Sequence, residues 1–196
     1  FCSSKIASYS TKDNKELTDT KGSHTSLLLQ PGERQNALQF ISDWLEGNLL
    51  EEIIIVDQYF GPEELEIVKM INSLKPKCRI KVLTSQKHHS DIKNPIEEYK
   101  NQWLKISDAS PPDVTIILIG LEGSGQSPIH DRWILTESSG LRLGTSLNSL
   151  GRAKISEISQ LTPEEASLFR KEVQQYTTYS KRVYNDAKLD YLVFTL

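Results

Sequence analysis

Cysteine is scarce in this chain of 196 residues, which holds only Cys2 and Cys78. No Cys-x-x-Cys pair and no Cys/His spacing typical of a zinc site accompanies them. A disulfide-stabilised secreted domain is therefore excluded. We expect two free thiols in a reducing compartment, and thus a cytoplasmic protein.

Long apolar runs are also missing. The longest, 53–56 and 114–119, are far shorter than the roughly 20 residues that a bilayer-spanning helix needs. The chain opens without the charged and apolar regions of a signal peptide. We therefore expect neither a membrane-spanning segment nor a membrane partner.

A charge excess of one sign is absent as well. Lys and Arg total 23 against 26 Asp and Glu, which gives a formal net charge of −3. No global attraction to nucleic acid follows from this balance. Any nucleic-acid site must be a local cleft.

The chain divides into a short polar start and one domain. Residues 1–24 are rich in Ser, Thr, Lys and Asp without periodicity, and we interpret them as a tail or linker. Residues 25–196 are enough for one good core and too few for two. Because the chain begins with Phe, we expect it to be part of a larger chain with further domains.

Apolar runs of strand length alternate with segments of helical periodicity. The pattern predicts strands over 26–30, 52–57, 79–84, 114–121 and 129–136, with a hairpin closing over 140–144. It predicts helices over 33–46, 61–74, 94–106 and 162–179. Such alternation is typical of an α/β fold with a mostly parallel mixed sheet flanked by helices.

The most informative stretch runs from His130 to Asn148. His130 and Arg132 lie two apart in a predicted strand, so both side chains should point to the same face. Four residues separate Arg132 from Glu137, and six more separate Glu137 from Gly-Thr-Ser-Leu-Asn. A cation that holds phosphate oxygens beside an imidazole that attacks phosphorus suits the cleavage of a phosphodiester.

This order resembles the His-x-Lys motif of the phospholipase D superfamily, over roughly residues 26–196. Arg132 stands in place of Lys and Glu137 in place of Asp, while Thr145 and Ser146 compete for the family's Ser. Asn148 fits only the longer of the two family spacings. The resemblance implies a single phospholipase D-like domain.

The resemblance also implies roles for these residues. His130 would be the nucleophile and acid/base, and Arg132 and Asn148 would hold the phosphate with help from Thr145 or Ser146. Glu137 would be a supporting acid. The family uses two histidines, and one motif per chain implies a symmetric homodimer.

Further candidates for substrate binding surround the motif. Asp57 and Tyr59 follow an apolar strand, where sites form in open α/β sheets, but Asp57 is equally well read as a helix cap. Arg142, Arg152 and Lys154 would extend a basic groove along a phosphate backbone. Glu157 would be a late acid that orients the histidine.

Two segments carry weaker signals. His88 and His89 lack a third metal ligand, and we interpret them as part of a solvated loop. The glycine-rich stretch 120–125 lacks the Lys-Ser/Thr of a phosphate-binding loop, so we interpret it as a mobile loop beside the His130 strand. A flap over the site is the alternative.

These patterns predict a metal-independent phosphodiesterase without a cofactor, acting on DNA or RNA through a phosphohistidine in a dimeric site. A bacterial restriction or antiviral defence protein would be a suitable setting. The alternative is a catalytically silent phospholipase D-like module that binds nucleic acid, lipid headgroups or a protein partner. No carboxylate cluster for Mg²⁺ is evident.

Overall fold

A computed structural model describes residues 25–196. The predicted tail over residues 1–24 lies outside the described residues, as does Cys2. Cys78 is a buried free thiol, and burial raises its pKa to about 11.

Nine strands and four α-helices make up the described part of the chain, with two short 3-10 turns at Pro62–Glu64 and Lys87–His89. The strands are β1 (Ser26–Leu29), β2 (Glu52–Val56), β3 (Arg79–Ser85), β4 (Val114–Leu121), β5 (Trp133–Leu135), β6 (Gly140–Leu143), β7 (Ser156–Gln160), β8 (Val183–Tyr184) and β9 (Ala187–Thr195). The helices are α1 (Arg34–Asn48), α2 (Leu65–Leu74), α3 (Pro95–Ile106) and α4 (Pro163–Thr177).

The strands form one mixed sheet in the order β1-β7-β6-β5-β2-β3-β4-β9-β8. The prediction of an α/β fold with a mixed sheet flanked by helices is confirmed. The prediction that the sheet is mostly parallel is wrong. Among the described strands only β2–β3 and β3–β4 pair in parallel, and the other neighbours are antiparallel.

The physical reason lies in the second half of the chain. β5–β6 and β8–β9 are joined by short hairpins and β6–β7 by a longer loop, so no crossover helix separates these paired strands and each pair is antiparallel. Asn185 and Asp186 turn between β8 and β9 with positive φ of 47° and 63°, the geometry of a two-residue hairpin. β9 then returns beside β4, a pairing that the sequence analysis missed.

The sheet is buried on both faces. The larger apolar cluster packs α1, α2 and α3 against one face, with Ile41, Ile71 and Trp103 among its members. The smaller cluster lies on the other face under α4, where Trp133 stacks on Phe169 with ring centroids 4.8 Å apart. Trp133 belongs to the core, with 9 % of its surface exposed.

No helix within residues 25–196 combines the length and the apolar character that crossing a membrane requires.

Candidate active site

The candidate site lies at one edge of the sheet. β2, β3 and β4 run in parallel and end at this edge, while β5 runs antiparallel to β2 and begins there. The carboxyl ends of parallel strands carry the sites of open α/β sheets. Residues that are distant in sequence therefore meet at this edge.

His130 precedes β5 instead of lying within it. The observed strand β5 is shorter than the strand predicted over 129–136, because regular pairing between β5 and β2 begins only at Trp133, opposite Val56. The same-face argument for His130 and Arg132 is therefore wrong, since neither residue is in a strand. The two side chains differ in exposure: His130 is 84 % exposed and Arg132 only 15 %.

The imidazole of His130 has a carboxylate beside it. Its Nδ1 lies 3.7 Å from Oδ1 of Asp131. This distance is too long for a hydrogen bond, and the ring is open to solvent. His130 thus presents a nitrogen suited to attack an electrophile.

Arg132 is fixed by its protein neighbours. Its Nε–H donates to Oγ of Ser146 at 3.0 Å, and the same nitrogen lies 3.8 Å from Oδ1 of Asp57. Its guanidinium carbon lies 5.5 Å from the centre of the Tyr59 ring. Within residues 25–196 its two terminal amino groups have no hydrogen-bond partner. They remain available to an anion.

Asp57 does not line the cleft, and the prediction that it does is wrong. Its side chain is fully buried at the end of β2, where it accepts hydrogen bonds from the backbone N–H groups of Tyr59 (3.0 Å) and Leu147 (2.7 Å). Burial raises the pKa of the Asp57 carboxyl, while these amide donors, Ser146 and Arg132 act against that rise. Asp57 therefore joins the strand end to the loop that carries Ser146.

The Gly144–Asn148 segment leaves β6 in close contact with β7. A Cβ on Gly144 would lie 3.0 Å from the carbonyl oxygen of Glu157, so a larger residue would not fit without a shift. Of the two competing hydroxyls, Ser146 is buried against Arg132, whereas Thr145 is half-buried. Asn148 is also half-buried, and its side-chain oxygen accepts a hydrogen bond from Ser149.

Glu137 lies at the opposite edge of the sheet. Its carboxylate accepts hydrogen bonds from the backbone N–H groups of Glu51 (3.0 Å) and Glu52 (2.7 Å), where β2 begins. His130 lies where β2 ends. The structure does not bring these two residues together, and the contacts of Glu137 are those of a residue that holds a strand in place.

The predicted basic groove is not continuous. Arg142 pairs with Glu165 at 3.2 Å and lies over the Phe169 ring, so it is engaged by α4. Arg152 and Lys154 are exposed in the loop before β7, and their side chains have no partner within the described residues. Glu157 is exposed on β7 beside Gly144.

A polar cleft of about 490 Å³ opens at this edge. His130 and Tyr59 line it together with Lys87, Gln126 and His88. His88 and His89 are predicted to lie in a solvated loop, but His89 is buried between the Ser85 carbonyl and the Tyr99 hydroxyl. The strand-end rule that drew attention to Asp57 would have found His88, since it follows β3 at the same edge.

Metal ligands are not clustered in the part of the chain that the structure describes. Residues 25–196 contain no group of three or more His, Cys, Asp or Glu side chains placed to hold a metal ion.

Comparison with known proteins identifies similar folds but no sequence relatives. No protein-family model matches the chain, and no curated protein matches it significantly. Among solved structures, NucT from Helicobacter pylori matches with a TM-score of 0.54 and 14 % identity, over 78 % of this chain and 95 % of that one. Phosphatidylserine synthase from Haemophilus influenzae Rd KW20 matches with a TM-score of 0.50 and 15 % identity.

The fold is phospholipase D-like. The match to the synthase covers 85 % of this chain and 39 % of the synthase, so this chain spans well under half of that protein. At these identities the likeness shows the fold alone.

Proposed function

We propose that the protein hydrolyses phosphodiesters of DNA or RNA without a metal ion, with His130 as the nucleophile. The observation that carries this proposal is an exposed imidazole that lines the cleft, together with a fixed guanidinium that contacts Tyr59, a residue of the same cleft. These are the two elements that the attack of nitrogen on phosphorus requires.

The first step forms a bond between Nε2 of His130 and phosphorus and breaks the bond to the leaving oxygen. The terminal amino groups of Arg132 neutralise the charge that develops on the non-bridging oxygens, each hydrogen bond contributing about 1.5–3 kcal/mol. Asn148 and Thr145 lie in the same loop and supply further polar contacts, while Ser146 positions Arg132. Water then attacks phosphorus and releases the histidine.

We infer nucleic acid as the substrate class from the residues that line the cleft. Tyr59 is 41 % exposed there, and an exposed aromatic ring stacks on any nucleobase. Lys87 adds a cation on the same wall, and the exposed Arg152 and Lys154 lie on the loop that follows Asn148. A symmetric dimer, a role in restriction or antiviral defence and a cytoplasmic location stay predictions from the sequence.

The test is a cleavage assay on labelled single-stranded and double-stranded DNA and RNA in the presence of EDTA. Wild type should cleave at least one of these substrates, and His130→Ala should lower turnover by at least about 10³-fold, the order expected when a covalent nucleophile is removed. Lys105→Ala, on the distant helix α3, is the matched control and should retain full activity. Activity that EDTA abolishes and Mg²⁺ restores would point to a different site.

A second function is favoured by one specific observation. Arg132 is mostly buried and already contacts Ser146, Asp57 and Tyr59, so part of its binding capacity is used within the protein. This arrangement suits a catalytically silent module that binds an anionic ligand. Such a module would bind oligonucleotides with an affinity that falls in Arg132→Ala, yet would turn over none of them.

A further inference from the structure

His88 lines the cleft but takes no part in the reaction steps of His130 and Arg132. It lies in the 3-10 turn Lys87–His89 directly after β3, is exposed, and meets the Tyr59 ring edge-on with centroids 5.4 Å apart. The sequence analysis assigned it to a solvated loop because no metal ligands accompany it. Its position in the fold points to another use.

The turn that carries His88 is firmly held. The next residue, His89, is buried, with Nδ1 2.8 Å from the Ser85 carbonyl and Nε2 3.0 Å from the Tyr99 hydroxyl. The backbone N–H of Lys87 donates to the carbonyl of Gly125 at 2.9 Å, which joins the turn to the glycine-rich loop after β4. The backbone of His88 is therefore fixed at the edge of the sheet while its ring stays accessible.

His88 and His130 line the same cleft of about 490 Å³. The Tyr59 ring contacts both His88 and Arg132: its centre is 5.4 Å from the His88 ring and 5.5 Å from the guanidinium carbon of Arg132. A cleft of this volume is within the range of sites that hold small molecules. A phosphodiester bound by Arg132 would thus have an imidazole available from two different elements of one chain.

Each of these histidines also has a carboxyl group close by. Nδ1 of His130 is 3.7 Å from Asp131. A Cβ placed on Gly61 would lie 3.8 Å from Nε2 of His88 and 3.4 Å from Oε2 of Glu64, so both groups border the same small space. Burial, with a smaller contribution from Asp57, raises the pKa of Glu64 to about 7.

We propose that His88 is the second histidine of the site, the group that protonates the leaving oxygen and then activates water. This inference rests on the proposed function and makes one chain sufficient for both roles. No second copy of the His130 motif is then needed, and the dimer predicted from the sequence is not required for activity.

The proton balance closes within the pair. The imidazolium of His88 gives its proton to the leaving oxygen as Nε2 of His130 bonds to phosphorus, which yields an alcohol, a phosphohistidine and neutral His88. His88 next takes a proton from water, whose oxygen attacks phosphorus and breaks the bond to His130. The site returns to its starting state with one water consumed.

The first test reads binding and needs no turnover. Inorganic phosphate is titrated into histidine-labelled protein while the ring resonances of His88, His89 and His130 are followed by NMR, with His88→Ala and His130→Ala used for assignment. We expect the His88 and His130 signals to shift with one common midpoint and the buried His89 to stay unchanged. A shift confined to His130 would overturn the proposal even if the protein proves to be a nuclease.

The second test separates proton donation from a structural effect. His88→Ala should slow the cleavage of a DNA oligonucleotide by about 10²–10⁴-fold, the usual contribution of a general acid. It should slow the cleavage of a p-nitrophenyl phosphodiester far less, because that leaving group departs without a proton. His130→Ala should lose both activities, since every substrate needs the nucleophile.

Equal losses on both substrates in His88→Ala, or no loss on either, would contradict the assignment. Mixing His88→Ala with His130→Ala separates a one-chain site from a site shared between chains: we expect no recovery of activity, and recovery would overturn the single-chain arrangement. If the wild type cleaves neither substrate, the proposed function fails, and the phosphate titration still decides whether His88 belongs to the site.

Discussion

Replacement of Arg132 by alanine is the most informative perturbation of the phosphate-binding side of the site. The guanidinium donates through Nε to Ser146 at 3.0 Å and keeps its terminal amino groups for a ligand. If these groups bind the non-bridging oxygens in the transition state, the loss of one charge-assisted hydrogen bond costs about 1.5–3 kcal/mol. Because 1.36 kcal/mol is tenfold in rate, turnover should fall at least about tenfold and up to roughly 150-fold per bond.

Arg132→Lys sharpens this prediction. Lysine keeps the charge, but its single ammonium cannot donate to Ser146 and hold two phosphate oxygens in the fixed geometry of the guanidinium. Lysine is also the residue of the motif that this chain resembles, so we expect a smaller loss than with alanine, or none. Ser146→Ala should lower the rate less than Arg132→Ala, because it removes only the contact that positions the guanidinium.

The assay is single-turnover cleavage of a labelled oligonucleotide in EDTA, with the thermal midpoint measured on the same samples. Arg182→Ala, which changes an exposed arginine near β8, serves as the matched control and should behave as wild type. A lower thermal midpoint in both Arg132 variants, with unchanged activity per folded molecule, would show that Arg132 is only structural and would refute the reasoning.

Three further predictions concern carboxyl groups, of which Asp57 and Glu64 are buried and Glu137 is exposed. Glu137→Ala removes the acceptor of two backbone N–H groups, so the free energy of unfolding should fall by about 0.5–1.5 kcal/mol in chemical denaturation while activity per folded molecule stays unchanged. Asp57→Asn exchanges one acceptor oxygen for a donor and should lower stability by about 1–3 kcal/mol and also slow cleavage, whereas Asp43→Asn on exposed α1 should do neither. Burial raises the pKa of Glu64 from 4.5 to about 7 in the folded protein, so the native state binds a proton more tightly than the unfolded chain does. The free energy of unfolding should therefore fall by up to about 3 kcal/mol as the pH rises from about 4.5 to 7. Glu64→Gln should remove this pH dependence.

The helices could be predicted from sequence because their signals are local. Thr162 accepts from the N–H of Glu165 while the Glu165 side chain accepts from the N–H of Thr162, which is a capping box. Asn94 likewise caps α3. These interactions span three residues, so the chain within one turn determines them.

The sheet was predicted less well because pairing is a long-range property. β2, β3 and β4 are apolar runs that the sequence shows directly. The residues of Ala187–Thr195, in contrast, do not indicate that β9 pairs with β4. β9 alternates buried and exposed residues only in part, which weakens its period-two signal. The short extent of β5 depends on where its partner β2 ends.

In the candidate site, too, features with a local sequence signal could be predicted, and features that depend on strand pairing could not. Motif spacing identified His130, which lines the cleft, and the pair Arg132 and Ser146, which are hydrogen-bonded to each other. Spacing carries no information about strand direction, and so Glu137 was grouped with them although it lies at the far end of β2. His88 was underrated because its relation to His130 exists only once β3 and β5 lie in one sheet.

The most direct test of the central claim is to trap the covalent intermediate. A labelled oligonucleotide is mixed with excess protein in EDTA, the reaction is quenched within the first turnover, and the labelled peptide is sequenced by mass spectrometry. The account predicts an acid-labile, base-stable phosphoramidate on His130 that is absent from His130→Ala and accumulates when the second step is slowed. Cleavage by wild type with no label on His130 at any time point, or equal cleavage by His130→Ala, would contradict it.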